Sequence, residues 1–299
     1  MSTKWTFVHV ALCIQYSLIR RELASMAEPG RMYINGAWVP SQSGAMREII
    51  NPADQSVIGT VYEGAKEDVD AAVAAAREAF DHSSWREMKA GERASLLFAL
   101  ADALEAEAKE FAHLEVLDSG KPLREAECDV SDAANCLCYY AGLATKPYGV
   151  TYDVPEDMQA LTVREPIGVC AQIVPWNYPL LMAMWKMAPA LAAGNTVVFK
   201  PAEITPLTTI KFFGLMEKVG IPKGVANLVL GAGATVGAAL SEHPAVDKIA
   251  FTGGTVTGKK ILAASVGKLK RVSLELGGKS PNIVFADADF ETAVDFALF

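Results

Sequence analysis

Residues 168–200, GVCAQIVPWNYPLLMAMWKMAPALAAGNTVVFK, decide the fold class. A short apolar run at 169–174 precedes a Met-, Trp- and Ala-rich helical pattern that extends to Ala193, and a second apolar run follows at 196–200. Further strand patterns lie at 226–230, 246–251 and 270–275, with helical patterns at 206–219, 236–242 and 256–266. This alternation predicts an α/β fold, a Rossmann-like parallel sheet with helices on both faces.

The chain before this alternation is mainly helical. Asn35-Gly36 predicts a hairpin turn within 32–39. Apolar stripes at helical spacing then predict a helix around 69–80, a second one from Gly91 to a break at 118–122, and a third over 123–141, and 147–166 is expected to form a hairpin excursion.

Composition and charge exclude several classes of function. Of 299 residues, 35 are acidic and 27 basic, and the resulting formal charge of −8 is unlike that of a general nucleic-acid binder. Five cysteines without a CxxC pair indicate neither a disulfide framework nor a metal module. We expect a cytoplasmic protein that does not enter membranes, because the apolar run at 5–19 is too short to span one. Organellar targeting by residues 1–25 stays open.

Polar side chains follow the predicted strands, where ligands bind in parallel sheets. Asn177 lies in a turn between two prolines and can donate hydrogen bonds from its amide, with an ordinary turn residue as the alternative. Lys200 and Glu203 follow the next strand and suit the hydroxyls of a ribose, with a solvated surface pair as the alternative. Glu275 lies on the polar face of the last strand and is either a general base or an exposed structural carboxylate.

Two glycine-rich turns lead into helices. The turn at 231–237, GAGATVG, misses the dinucleotide-binding spacing G-x-G-x-x-G by one residue. The stretch 253–260 nearly forms a P-loop, but Lys260 replaces the hydroxyl that Mg²⁺ requires, which disfavours a P-loop phosphotransferase. What remains at each turn is a helix N-terminus that favours an anion.

Together these segments resemble the aldehyde dehydrogenase superfamily from about Tyr33 to the last residue. The four strings that carry the resemblance occur in the family's order and are Pro175-Trp-Asn-Tyr-Pro179, Lys200-Pro-Ala-Glu203, Phe251-Thr-Gly-Gly254 and Leu274-Glu-Leu-Gly-Gly-Lys-Ser-Pro-Asn282. A further string, 179–186 (PLLMAMWK), is similar to the betaine-aldehyde and aminoaldehyde dehydrogenases.

The resemblance implies oxidation of an aldehyde to the carboxylic acid with NAD. Asn177 would stabilise the oxyanion of a thiohemiacetal, and Glu275 would activate the water that hydrolyses the thioester. Lys200 and Glu203 would hold the adenosine ribose, with Glu203 disfavouring the 2′-phosphate of NADP. The other implied cofactor residues are Ile173, Trp176, Gly233, Gly237, Phe251, Thr252, Gly253, Gly254 and Leu276. Most of the family has Ser where this chain has Gly254.

The resemblance also implies a small aldehyde substrate. Tyr178 and Trp185 would form part of an aromatic box around a cationic amine through cation–π attraction. The alternative is that both rings pack in the wall of a tunnel for any apolar aldehyde. A full-length protein of this family is expected to be a homodimer or homotetramer.

The nucleophilic cysteine that the family uses would follow Phe299. We therefore expect a truncated enzyme with an incomplete catalytic domain, no dehydrogenase turnover and poor solubility, and the alternative is a non-catalytic NAD-binding or interaction module. The expected segments are an extension of uncertain status at 1–25, an N-terminal lobe of the coenzyme-binding domain at 26–146, the hairpin for oligomerisation at 147–166, the NAD-binding core at 167–288 and the start of the catalytic domain at 289–299.

Overall fold

The computed structural model describes residues 28–297, so the expectations for residues 1–25 lie outside the described part. The strands are β1 Met32–Ile34, β2 Ala37–Val39, β3 Met46–Ile50, β4 Val57–Tyr62, β5 Thr151–Tyr152, β6 Ala160–Leu161, β7 Val169–Ile173, β8 Thr196–Lys200, β9 Ala226–Leu228, β10 Lys248–Gly253 and β11 Arg271–Leu276. The α-helices are α1 Lys66–His82, α2 Ser84–Glu87, α3 Ala90–Ala106, α4 Ala108–Ser119, α5 Leu123–Leu143, α6 Pro179–Ala192, α7 Leu207–Val219, α8 Ala238–Glu242, α9 Thr255–Ser265 and α10 Phe290–Ala297.

A seven-stranded sheet organises the fold, in the order β11-β10-β7-β8-β9-β1-β2. The five strands from β7 to β11 pair in parallel, which confirms the α/β prediction. The hairpin β1–β2, which lies in the segment expected to form an N-terminal lobe of the coenzyme-binding domain, extends this sheet by pairing antiparallel with β9. Its turn adopts positive φ at Asn35 (52°) and Gly36 (75°), the conformation that such a two-residue turn requires.

Helices cover both faces of the sheet. Helix α1 packs against β7, β8 and β9 on the same face as α8, while α6 lies on the other face beneath α5. The strand order reverses between β7 and β10, because β8 and β9 extend the sheet on one side of β7 and β10 on the other. A reversal of this kind opens a crevice at the carboxyl ends of the strands.

Two helix predictions need correction. The helix expected from Gly91 to 118 is two helices, α3 and α4, separated at Glu107 by a backbone that leaves the helical region (φ −108°, ψ 18°). The helix expected at 236–242 begins earlier, because a π-helical turn, Gly233–Gly237, precedes α8. The predicted hairpin at 147–166 contains the short antiparallel pair β5–β6.

Within residues 28–297, no helix combines the length with the apolar character that crossing a bilayer requires.

Candidate active site

The strand register places the predicted residues in one row along the carboxyl edge of the sheet. Glu275 on β11 pairs with Thr252 on β10, and Phe251, which is also on β10, pairs with Ile173 on β7. Ile173 pairs in turn with Lys200. Neighbouring strands lie about 4.8 Å apart, so Glu275 and Lys200 are separated by roughly 14 Å along this edge. The edge therefore presents a carboxylate at one end and an ammonium at the other.

A cleft of about 1240 Å³ opens at the Glu275 end of this row. It lies at the reversal point, where the loop after β7 faces the ends of β10 and β11. Eight of the predicted site residues line it, namely Trp176, Asn177, Trp185, Thr252, Gly253, Gly254, Glu275 and Leu276. The cleft thus brings both predicted catalytic residues, Asn177 and Glu275, to one site.

A lysine that the sequence analysis did not single out also lines the cleft. The Lys186 ammonium donates a hydrogen bond to Oγ1 of Thr252 at 2.7 Å. Burial lowers the pKa of Lys186, and the negative charge of Glu275 opposes that shift. A lysine within the otherwise apolar pattern of α6 is the sequence signal that could have found it.

Helix α4 holds the loop that carries Asn177. The backbone N–H of Leu180, in the first turn of α6, donates to the Glu115 carboxylate at 3.3 Å. One helical turn later, Asp118 accepts from the backbone N–H of Leu207 at 2.8 Å, in the first turn of α7. Both carboxyl groups are buried, and each provides an acceptor oxygen to the backbone of a helix N-terminus that water does not reach.

The predicted ribose residues form a second group at the other end of the row. Lys200 is 2% exposed, which excludes a solvated surface pair, and its Nζ lies 2.8 Å from the carbonyl oxygen of Pro201 and 3.4 Å from Glu203. A Cβ added at Gly237 would lie 3.8 Å from the Lys200 stem, so this glycine is in contact with the lysine.

Burial and their mutual attraction shift the pKa values of the two charged residues in this group, Lys200 and Glu203. Burial lowers the pKa of Lys200, and the charge of Glu203 opposes that shift. Burial alone would raise the pKa of Glu203, but backbone hydrogen bonds, one of them from Gly233, and the Lys200 ammonium hold it below its ordinary value. Glu203 is therefore ionised at neutral pH.

The two aromatic residues of the expected box have different surroundings. Trp185 lines the cleft and is 53% exposed. Tyr178 is not among the lining residues, and the Lys121 ammonium lies 4.3 Å from the centre of its ring. Lys121 is itself paired with Asp129. One face of Tyr178 thus already contacts a cation within the protein.

A comparison with known protein families shows to which family the chain belongs. Residues 38–299 match the sequence profile described as "Aldehyde dehydrogenase family". The chain belongs to the aldehyde dehydrogenase family. This confirms the resemblance that the four strings carried.

Individual members of the family are closely similar to this chain. The betaine aldehyde dehydrogenase of Bacillus subtilis is 55% identical over 268 residues, which cover 89% of this chain and 55% of that protein. An aldehyde dehydrogenase of Emericella nidulans is 46% identical over 95% of this chain and 57% of its own length. The chain therefore spans just over half the length of these curated relatives.

Solved structures agree with the sequence comparison. A crystal structure of betaine aldehyde dehydrogenase from Staphylococcus aureus in complex with NAD⁺ superposes with a TM-score of 0.91 at 49% identity. The match covers 94% of this chain and 56% of that one. The fold described above is thus that of the corresponding part of an aldehyde dehydrogenase.

Two cysteines line the cleft of this aldehyde dehydrogenase chain, but neither has the properties of a nucleophile. Burial raises the pKa of Cys136 to about 11 and that of Cys170 to about 12, so both are thiols at neutral pH. In the part of the chain that the structure describes, no group of His, Cys, Asp and Glu is arranged to hold a metal ion.

Proposed function

We propose that this chain is the cofactor-binding part of an NAD-dependent aldehyde dehydrogenase. The observation that carries the proposal is the row of strand ends, which has Asn177 and Glu275 in one cleft and the Lys200–Glu203 pair on the same edge. The crystal structure from Staphylococcus aureus, which is similar over 94% of this chain, is a complex with NAD⁺, and this supports the choice of cofactor.

The residues of the edge fit a dinucleotide. No side chain or backbone lies within 4 Å of a Cβ built on Gly254, which is exposed, so a ligand can approach this position closely, whereas Gly237 is buried against Lys200. The ionised Glu203 accepts from ribose hydroxyls, and it would repel a 2′-phosphate. Gly254 is also the N-cap residue of α9 and has no side chain to cap it, which leaves backbone N–H groups at that helix N-terminus for a pyrophosphate.

Bound NAD⁺ would supply the acceptor for the hydride that leaves the substrate. Asn177 is exposed to the cleft and can donate its amide N–H to the aldehyde oxygen as negative charge develops there. Glu275 can take a proton from a water molecule, because it is exposed in the same cleft and two glycines follow it closely. Lys186 lines the same cleft and interacts electrostatically with Glu275.

We further propose that the substrate is an aldehyde with a cationic amine, such as betaine aldehyde or an aminoaldehyde. Support comes from the exposed indole of Trp185 in the cleft and from the name of the relative in Bacillus subtilis. The role of Tyr178 in an aromatic box stays a prediction, since the Lys121 ammonium already covers one face of that ring.

The binding part of the proposal is tested by calorimetry on the purified 299-residue chain. We expect saturable binding of NAD⁺, and we expect that adding an aldehyde with NAD⁺ produces no NADH, because none of the five cysteines matches the family's nucleophile. A chain that binds no dinucleotide would overturn the proposal. NADH formation by this chain alone would refute the expected lack of turnover.

A non-catalytic NAD-binding module would also bind without turnover. Reading the coding sequence beyond the codon for Phe299 separates the two functions. A continuing frame that encodes a cysteine-containing loop supports the dehydrogenase, whereas a stop codon with stable NAD-binding protein supports the module.

A further inference from the structure

We propose that Glu63 is a positioning residue that makes this site prefer a dinucleotide without a 2′-phosphate. Glu63 acts on the glycine-rich turn 231–237 and on the charge around Lys200. The inference rests on the proposed function, since it assumes that Lys200 and Glu203 receive the adenosine ribose.

Two hydrogen bonds join the segment that carries Glu63 to the glycine-rich turn. The backbone N–H of Ala232 donates to the Glu63 carboxylate at 2.8 Å. The N–H of Gly64 donates to the carbonyl oxygen of Leu230 at 3.0 Å, and a Cβ on Gly64 would clash with that same oxygen. Only glycine therefore allows these two backbone segments to lie so close together. Their contact fixes the position from which the turn runs toward Gly233.

Glu63 is itself held in a fixed orientation. The Arg47 guanidinium donates to both carboxylate oxygens of Glu63, at 2.7 and 2.9 Å. This bidentate pair is the chief reason that the pKa of Glu63 lies below its ordinary value. Glu63 is 20% exposed and Arg47 35%, so the pair is partly shielded from solvent. The carboxylate is thus both ionised and immobile at neutral pH.

Four charges meet at this end of the sheet edge and cancel. The Glu63 carboxylate interacts electrostatically with Lys200, and Arg47 interacts with both Lys200 and Glu203. Two cations and two anions give the cluster Arg47–Glu63–Lys200–Glu203 a net charge of zero. Without Glu63 the cluster would carry one positive charge, which would attract a phosphate beside the ribose.

The test uses four variants of the full 299-residue chain. Glu63→Gln removes the charge but keeps an oxygen that can accept from Ala232. Arg47→Met changes the cluster charge in the opposite direction, and the double variant returns it to zero. Glu48→Gln is the matched control, because Glu48 is exposed on β3 of the same strand pair and loses the same charge. The readout is the ratio of the Kd for NADP⁺ to the Kd for NAD⁺, measured by calorimetry at low salt.

We expect Glu63→Gln to lower this ratio at least about fivefold and Arg47→Met to raise it by a similar factor. The double variant should return to within about twofold of the wild-type ratio, although it lacks the whole bidentate pair, and Glu48→Gln should not change the ratio. The shifts should shrink at high salt because the charges are then screened.

If the pair had a purely structural role, the ratio of the two Kd values in the double variant would differ from the wild-type ratio at least as much as in either single variant. That result would overturn the inference. An unchanged ratio in both single variants, with NAD⁺ binding intact, would overturn it too while leaving the proposed function standing. If Glu63→Gln fails to fold, an unchanged ratio in Arg47→Met alone is sufficient to overturn it. A wild-type chain that binds neither dinucleotide would remove the proposed function and this inference together.

Discussion

At the scale of single residues, burial distinguishes the site lysines from ordinary surface lysines. Lys200 is 2% exposed, and within residues 28–297 its ammonium has the carbonyl oxygen of Pro201 and the carboxylate of Glu203 as hydrogen-bond partners. Keeping an ammonium away from water costs free energy unless all its donors are used. A ribose hydroxyl would satisfy the third donor of Lys200, which supports the proposed role of this lysine in binding the adenosine ribose.

Replacing this cation should weaken NAD⁺ binding without unfolding the protein. We expect Lys200→Met to raise the Kd for NAD⁺ by about tenfold or more, because a hydrogen bond from a charged group contributes about 1.5–3 kcal/mol. Methionine fills the buried aliphatic space that the lysine stem occupies, so the melting temperature should stay close to that of the wild type. Calorimetry with Lys146→Met, at an exposed lysine, as the control measures both effects. Wild-type affinity in Lys200→Met would contradict the ribose assignment.

At the scale of secondary-structure elements, α4 positions two site loops at once. Glu115 and Asp118 are three residues apart, so they lie on one face of the helix and reach the N-termini of α6 and α7. The loops before these helices carry Asn177 and Glu203. Helix α4, which lies in the mainly helical first part of the chain, therefore orients both ends of the candidate site.

The buried carboxyl of Asp118 should make stability depend on pH. Burial raises the pKa of Asp118 well above its ordinary value, and the hydrogen bond from Leu207 only partly opposes this. Unfolded aspartate ionises near pH 3.9, so between that pH and the raised folded value, unfolding releases a proton and stability falls as pH rises. The limiting slope is about 1.4 kcal/mol per pH unit.

Asp118→Asn removes this titration and keeps an oxygen for the Leu207 N–H. We therefore expect its stability relative to the wild type to increase between pH 5 and pH 8, as measured by urea unfolding at several pH values. Asp157→Asn, at an exposed aspartate, serves as the control and should show a difference that does not change with pH. A difference for Asp118→Asn that is equally independent of pH would show that Asp118 is ionised in the folded protein.

At the scale of the whole molecule, the described surface has an apolar region at its C-terminal side. Phe285, Phe290 and Phe296 are 73%, 75% and 76% exposed, and Ile283 and Val284 are also exposed. Large apolar side chains exposed close together in the chain favour association with other molecules. The expected poor solubility of the chain has its physical basis here.

Polar substitutions in this region should improve solubility. We expect the double variant Phe285→Ser/Phe290→Ser to stay monodisperse at concentrations several-fold above those at which the unsubstituted chain associates. Phe98→Ser, at an isolated and less exposed phenylalanine of α3, is the control and should have little effect. Sedimentation velocity measures the association, and a monodisperse monomer of the unsubstituted chain at high concentration would contradict the expectation.

The local patterns of the sequence were sufficient to predict most of the candidate site. Strand patterns ending near 174, 200, 251 and 275 placed Asn177, Lys200 and Glu275 at the edge where the structure has them. The helix break at Glu107 was missed because the apolar spacing continues across it. Glu63, Glu115 and Asp118 were missed because nothing near them in the chain indicates which distant backbone they would meet.

The sequence by itself determined the parallel α/β architecture, the hairpin turn at Asn35-Gly36 and the residues at each strand end, because periodicity and turn chemistry act over a few neighbouring residues. Only the tertiary structure decided the strand order, the attachment of β1–β2 to β9 and the partners of the buried carboxylates. Those contacts join segments far apart in the chain, such as Glu63 and Ala232, and they depend on how whole elements pack rather than on any local pattern.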